Sequence, residues 1–228
     1  MSGPQCCENP PTLNPTSGAG HVEEIGGLKT YVSGSPESKT AVLLVSDVAD
    51  KIAAAGFYVV VPDFLHGDPY NPENAAKPIQ LWLQEHGTDK GYEEAKVVIE
   101  ALKQRGIPKI GAAGYCWGAK VVVQLAQGDY IQAGVLLHPS FVTLDDIKAV
   151  KVPIAILGAE IDRMSPPELV KQFEEALKAK PEVDRFVKIF PGVAHGWSVR
   201  YDPQDPAAVK PAEEALEDTL AWFNKHLK

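Results

Sequence analysis

The chain has 228 residues, 45% of them hydrophobic, and a formal net charge of −8. That is enough apolar material for one large core, so a single domain over residues 21–228 is expected, preceded by a short tail. The acidic balance argues against a nucleic-acid partner, and no run approaches the ~18 apolar residues that cross a bilayer, so no membrane partner is expected either.

Residues 1–20 are polar and rich in proline and read as a flexible tail without the apolar stretch of a secretion signal. The chain carries three cysteines, a small odd number that does not resemble a disulfide framework. A reducing compartment, the cytosol, is the expected location. Cys6 and Cys7 stand side by side in the tail. No metal-ligand spacing follows them, and lipidation is the alternative to an unremarkable tail.

From residue 41 onward, short apolar runs alternate with helical patterns. Strands are expected at 41–45, 57–61, 109–113, 133–137, 153–157 and 185–190, because continuous apolar runs of this length suit strands buried on both faces. A short helix is expected at 49–55. Residues 92–104 place Ala95, Val98, Ile99 and Leu102 at helical spacing. Residues 166–178 start from Ser165 as N-cap with Pro166 in the first helical position. Residues 211–226 put Ala215, Leu216, Leu220 and Phe223 on one face. This alternation predicts an α/β fold, a doubly wound and mostly parallel sheet with helices on both faces. In such sheets the chemistry gathers at the carboxyl ends of the strands.

After the third expected strand comes Gly114-Tyr115-Cys116-Trp117-Gly118, followed by a helical run. This G-x-C-x-G at a strand-to-helix turn is the nucleophile-elbow pattern of α/β-hydrolases with cysteine in place of serine. The glycines leave room for a tight turn that exposes the central side chain. The following helix aims its N-terminus at the sulfur, which favours a thiolate, and the Trp117 N–H faces a substrate oxyanion. The alternative is a buried cysteine packed beside Trp117.

In this fold the order along the chain is nucleophile, acid, base. The loop after the fifth strand contains Glu160 and Asp162; Asp162 is preferred as the acid, with Glu160 the alternative. After the sixth strand, His195 lies in a glycine-bounded loop ahead of the last helix, the position of a base that takes and returns a proton. His66 and His138 also follow strands and are candidates to line the site, with loop hydrogen bonding the simpler reading of both. Tyr115 and Trp197, the aromatic neighbours of Cys116 and His195, are read as substrate-binding.

With Gly-Tyr-Cys-Trp-Gly, Gly-Ala-Glu-Ile-Asp before Ser-Pro-Pro, and Ala-His-Gly-Trp in place, the chain resembles the dienelactone hydrolases, or carboxymethylenebutenolidases, from about Gly26 to its end. It is most similar to plant-type members, some of which carry an endo-1,3;1,4-β-D-glucanase name. The resemblance implies a Cys116–Asp162–His195 triad and a small ester or lactone as substrate, with no metal and no organic cofactor. It also implies arginines that hold a substrate carboxylate. Arg200 is the one candidate near His195, and residues 63–87 contain only Lys77 where a second would stand. A monomer or weak homodimer is expected.

One departure stands out. Residues 46–48 run from the first expected strand straight into the short helix, which implies that, relative to the family, roughly ten residues are lacking from a loop that supplies a second oxyanion N–H. Neither Asp47 nor Asp50 obviously replaces a glutamate that contacts the thiol in the family. Two other readings therefore accompany the hydrolase: a glycosidase, which needs two carboxylates beside the scissile bond, and a ligand-binding homologue without turnover.

Overall fold

A computed structural model describes residues 20–45, 49–71 and 74–228. The tail with Cys6 and Cys7, and Ser46, Asp47 and Val48 of the short loop, lie outside the described residues, as does the Asp50 side chain. The elements in chain order are β1 (His21–Ile25), β2 (Leu28–Ser33), β3 (Thr40–Val45), α1 (Ala49–Ala53), β4 (Tyr58–Pro62), α2 (Ile79–Glu85), α3 (Thr88–Gln104), β5 (Lys109–Tyr115), α4 (Trp117–Leu125), β6 (Ala133–Leu137), α5 (Leu144–Ala149), β7 (Ile154–Ile161), α6 (Pro167–Lys178), β8 (Arg185–Ala194) and α7 (Pro206–Leu227).

The eight strands form one sheet in the order β1-β2-β4-β3-β5-β6-β7-β8. β1–β2 and β2–β4 pair antiparallel, and all other pairs are parallel. The expected α/β fold with a mostly parallel sheet is therefore the observed one. Its core has two halves, one on each face of the sheet. Alternation along β3 feeds both: Ala41, Leu43 and Val45 face the side of α3, α4, α5 and α6, whereas Val42 and Leu44 face α1 and α7. Helices on both faces explain why the central strands read as unbroken apolar runs rather than alternating ones.

The structure extends the expected elements in several places. The β1–β2 hairpin was not among the expected strands, because His21–Ile25 is an exposed edge strand whose only buried residue is Ile25. It turns on Gly26 and Gly27, both left-handed (φ +60° and +80°), a two-residue turn that β-carbons would strain. The short helices α2 and α5 were also not expected, since both are under two and a half turns and carry little periodicity. α7 begins at Pro206 rather than Pro211. Asp205 caps it by accepting from the Ala207 N–H at 3.0 Å, and Pro211 is tolerated inside the helix.

α6 corrects a second boundary. Its N-cap is Pro166, not Ser165, and no side chain caps it. The Ser165 hydroxyl is turned the other way, toward Asp162. β7 likewise runs past the expected 153–157 to Ile161, and β8 runs to Ala194. Asp162 and His195 are thus the first residues beyond two adjacent, paired strands. Ile161 pairs with Ala194 across a register irregularity.

Candidate active site

Cys116 stands between β5 and α4 with φ 51° and ψ −113°, a conformation that costs energy for any residue with a β-carbon. The flanking glycines make the turn possible. A β-carbon on Gly114 would lie 2.3 Å from the Gly118 carbonyl oxygen, and one on Gly118 would lie 2.6 Å from Val45 Cγ1 and 2.8 Å from the Val45 oxygen. Backbone atoms cannot yield as a flexible side chain can. Gly118→Ala is therefore expected to destabilise the fold by about 1–3 kcal/mol. Urea denaturation checks this, and an unchanged midpoint would refute the steric account.

The main chain of Cys116 is tied to the exit of β6. Its N–H donates to the Leu137 oxygen at 3.1 Å, and its carbonyl accepts from the Ser140 N–H at 3.0 Å. Trp117 opens α4, so its N–H belongs to the first helical turn and has no intrahelical acceptor. The Trp117 indole N–H donates to the His86 oxygen at 2.9 Å, which braces the elbow against the end of α2. That brace is reinforced by Trp82 stacked on His86 with ring centroids 4.5 Å apart.

Asp162 is enclosed by donors. Oδ1 accepts from the Met164 N–H at 2.7 Å and the Ser165 N–H at 3.2 Å; Oδ2 accepts from the Ser165 hydroxyl at 3.2 Å and is bonded to His195 Nδ1 at 2.7 Å. Burial alone would raise its pKa, but the hydrogen bond and charge of His195 and the two backbone N–H groups outweigh it and hold the carboxyl below its ordinary value. Glu160, two residues earlier, accepts from the Gly192 N–H at 2.6 Å and so fastens the end of β8 that leads into His195. Both acids are committed, Glu160 at the end of β7 and Asp162 just beyond it, each to a different task.

His195 is mostly buried, and burial disfavours its charged form. Asp162 on one side and the Cys116 sulfur on the other overcome that penalty and lift its pKa to about 9. Nε2 is buried, and the Cys116 sulfur on that side acts on it through a hydrogen bond and its charge.

Behind His195 lies His138, for which the sequence leaves open a place in the site beside the simpler loop reading. It is 1% exposed, its ring meets that of His195 edge-on at 5.0 Å, and its Nε2 is 2.9 Å from the Ser198 hydroxyl. Burial, then the charges of His195 and Arg200, push its pKa well below the usual histidine value, so His138 is neutral. Tyr115 and Trp197 are buried and pack against His138 at 5.9 and 5.3 Å between centroids. They back the site from within the core. Arg200 lies beside Gly196, to whose carbonyl its N–H donates at 3.0 Å. His66, the other histidine after a strand, bonds Glu94 at 2.9 Å, the simpler reading. Ser140 is a residue that the sequence patterns do not reveal: its Oγ lies 3.2 Å from the Cys116 sulfur.

A cleft of about 760 Å³ runs along the outer side of the Asp162 loop, between Arg163, Lys171 and Ile189. Neither Cys116 nor His195 lines it, so it is not the space over the sulfur. Among the described residues, Asp68, Glu85 and His86 are the one group whose ligand atoms approach closely enough to hold a metal. Lys77 Nζ lies 2.6 Å from both carboxylates and already supplies the cation there. Lys77 is accordingly committed and does not stand in for a substrate-binding arginine.

The sequence matches the model of the dienelactone hydrolase family over residues 41–227. The chain belongs to the dienelactone hydrolase family. A maize protein named endo-1,3;1,4-beta-D-glucanase is 41% identical over 196 residues, which cover 78% of this chain and 63% of the maize protein. The chain thus spans less than two thirds of that relative's length. A mouse carboxymethylenebutenolidase homolog is 33% identical, with 92% of each chain covered. Among solved structures, a dienelactone hydrolase-like promiscuous phosphotriesterase from metagenomic libraries superposes with a TM-score of 0.66 at 16% identity, over 92% of this chain and 98% of the other. That likeness is one of fold. No helix among the described residues is long and apolar enough to cross a membrane.

Proposed function

We propose that this dienelactone hydrolase family member hydrolyses small carboxylic esters or lactones through an acyl-enzyme on Cys116. The observation that carries the reading is the relay of a committed acid, an aligned imidazole and a sulfur: Asp162 Oδ2 bonds His195 Nδ1 at 2.7 Å, and the remaining imidazole nitrogen is subject to the charge of Cys116. This is the arrangement that activates a thiol.

The thiolate attacks the carbonyl carbon, and the carbonyl π electrons move to oxygen. The Trp117 N–H meets that oxyanion at the start of α4. The tetrahedral species collapses, the carbon–oxygen bond to the leaving group breaks, and His195 Nε2–H protonates the departing alkoxide. Water then gives its proton to His195 and its oxygen to the acyl carbon; the sulfur leaves, and the carboxylic acid is released. Asp162 keeps the imidazole in the required tautomer throughout. Arg200 holds a carboxylate on the substrate, and Tyr115 and Trp197 shape the site through His138. The enzyme acts in the cytosol as a monomer or weak homodimer, without a metal or organic cofactor.

The name of the maize relative raises glycoside hydrolysis. That chemistry needs two carboxylates facing the scissile bond. Among the described residues, the acids that β7 and its exit bring to this end of the sheet are Asp162, whose side chain is fully enclosed, and Glu160, which is bonded to the Gly192 N–H. Neither supports that reading.

Acid quenching during turnover of p-nitrophenyl acetate tests the proposal. Intact mass is expected to show one added acetyl group, and peptide mapping to place it on Cys116. Turnover with no acyl group on the Cys116 peptide would overturn the mechanism. Release of reducing sugar from a mixed-linkage glucan, insensitive to Cys116→Ala, would replace it with the glycosidase.

A further inference from the structure

We infer that Ser140 is a further catalytic residue: its hydroxyl donates the hydrogen bond that stabilises the Cys116 sulfur as a thiolate. The inference rests on the Cys116 reading above and adds a third element, the exit of β6, to the two loops that carry the acid and base.

The first argument is one of partners. Ser140 is 1% exposed, and a buried hydroxyl without a hydrogen-bond partner is costly. The Cys116 sulfur, at 3.2 Å, is the one partner of Ser140 Oγ among the described residues. A neutral thiol and a hydroxyl can each donate to the other. Once the sulfur is a thiolate it has no proton to give, so Ser140 alone can be the donor. The bond is then charge-assisted and stronger than its neutral form.

The second argument is that the backbone holds Ser140 in register with the sulfur. β5 and β6 pair in parallel through Tyr115 and Leu137, the pairing continues as Cys116 N–H to the Leu137 oxygen, and the Ser140 N–H returns to the Cys116 oxygen at 3.0 Å. The chain achieves this return at a cost. His138 and Phe141, which bracket Ser140, both have left-handed φ, 36° and 63°. A bulky aromatic at such a φ is an outlier, and strain of this kind gathers at functional sites. Neither residue is a glycine that would relieve it. The strain keeps one hydroxyl against one sulfur.

The third argument concerns division of labour. His195 must lose and regain its proton during each cycle, so its charge is not present at every step. A serine hydroxyl keeps its proton throughout. It supports the sulfur when it attacks and again when it leaves the acyl group.

The test reads the sulfur directly. The full chain, as wild type, Ser140→Ala and Ser140→Thr, is treated with iodoacetamide between about pH 5 and pH 9, where activated thiols separate from ordinary ones. The sulfur bonds to the acetamide carbon as iodide leaves, and mapping the Cys116 peptide separates this site from Cys6 and Cys7. At about pH 6, Ser140→Ala is expected to slow alkylation of Cys116 about tenfold or more, with its pH profile moved upward, and Ser140→Thr to recover most of the rate. Threonine and valine at this position differ only by the hydroxyl, so that pair gives the same comparison if alanine loosens the loop. Superimposable profiles for the variants lacking the hydroxyl and the wild type would overturn the inference. Unchanged alkylation with slower ester turnover would overturn it too, by moving the hydroxyl's role to the substrate oxyanion. Alkylation needs no substrate, so failure here is separate from failure of the hydrolase reading, which Cys116→Ala tests in turnover.

Discussion

Cys116→Ala is expected to lower kcat/KM for a p-nitrophenyl ester by about 10⁴-fold or more, because removing the nucleophile removes the covalent route altogether. What remains is binding and whatever oxyanion stabilisation the Trp117 N–H gives to direct attack by water. The fold should survive the change. Cys116 sits at φ 51°, where alanine is strained no more than cysteine, and its side chain is only partly buried, so truncation removes little packing. Circular dichroism and a melting curve verify that the variant is folded. Turnover within a few-fold of wild type in a folded variant would remove Cys116 from the mechanism. Cys116→Ser is the informative companion. It keeps the shape and replaces a group that ionises readily by one that does not, so it should recover little of the lost rate.

The second large effect is expected for Asp162→Asn, a loss on the order of 10³–10⁴-fold in kcat, since an amide can hold the imidazole in the wrong tautomer and cannot stabilise its cation. The pH dependence distinguishes this from simple damage. The wild-type His195 has its pKa raised to about 9, against the opposing effect of burial, in part by the Asp162 hydrogen bond and charge. The imidazolium that protonates the leaving group is therefore lost as pH rises through about 9, and the rate should fall there. With asparagine, one of the raising causes is gone, and the alkaline limb should move to lower pH. A limb that stays in place would mean that Asp162 does not act on His195.

The same pair links stability to pH. His195 has a folded pKa above its unfolded value of 6.5, so its contribution is complete below 6.5 and is lost as pH rises through about 9. Asp162 has a folded pKa below 3.8, so its contribution is complete above 3.8 and is lost as pH falls through the lower folded value. The ion pair should therefore stabilise the wild type relative to Asp162→Asn most between 3.8 and 6.5. Denaturation midpoints across that range measure the difference.

Much of this protein was legible in one dimension. Strands β3 to β7 announce themselves because both their faces are covered, and a doubly covered strand leaves an uninterrupted apolar run. The elbow is legible because its requirements are local: two glycines where β-carbons would strike backbone, and a reactive side chain between them. The positions of Asp162 and His195 follow from the rule that chemistry sits where strands end.

What tertiary structure decided was partnership. Glu160 and Asp162 are two residues apart and alike in chemistry, yet one fastens Gly192 and the other orients His195, because the irregular pairing of β7 with β8 presents each to a different neighbour 32 and 33 residues away. Ser165 reads as a helix cap until Asp162 is seen above it. Ser140 reaches the sulfur through the register of β5 against β6, across 24 residues of sequence. His138 joins the site because it is walled in by Tyr115, Trp197 and His195, none of them near it in the chain. Sequence patterns report which face of an element is buried and where the backbone must turn. Which polar atom meets which is set by strand register and loop strain, and these exist only once the sheet has formed.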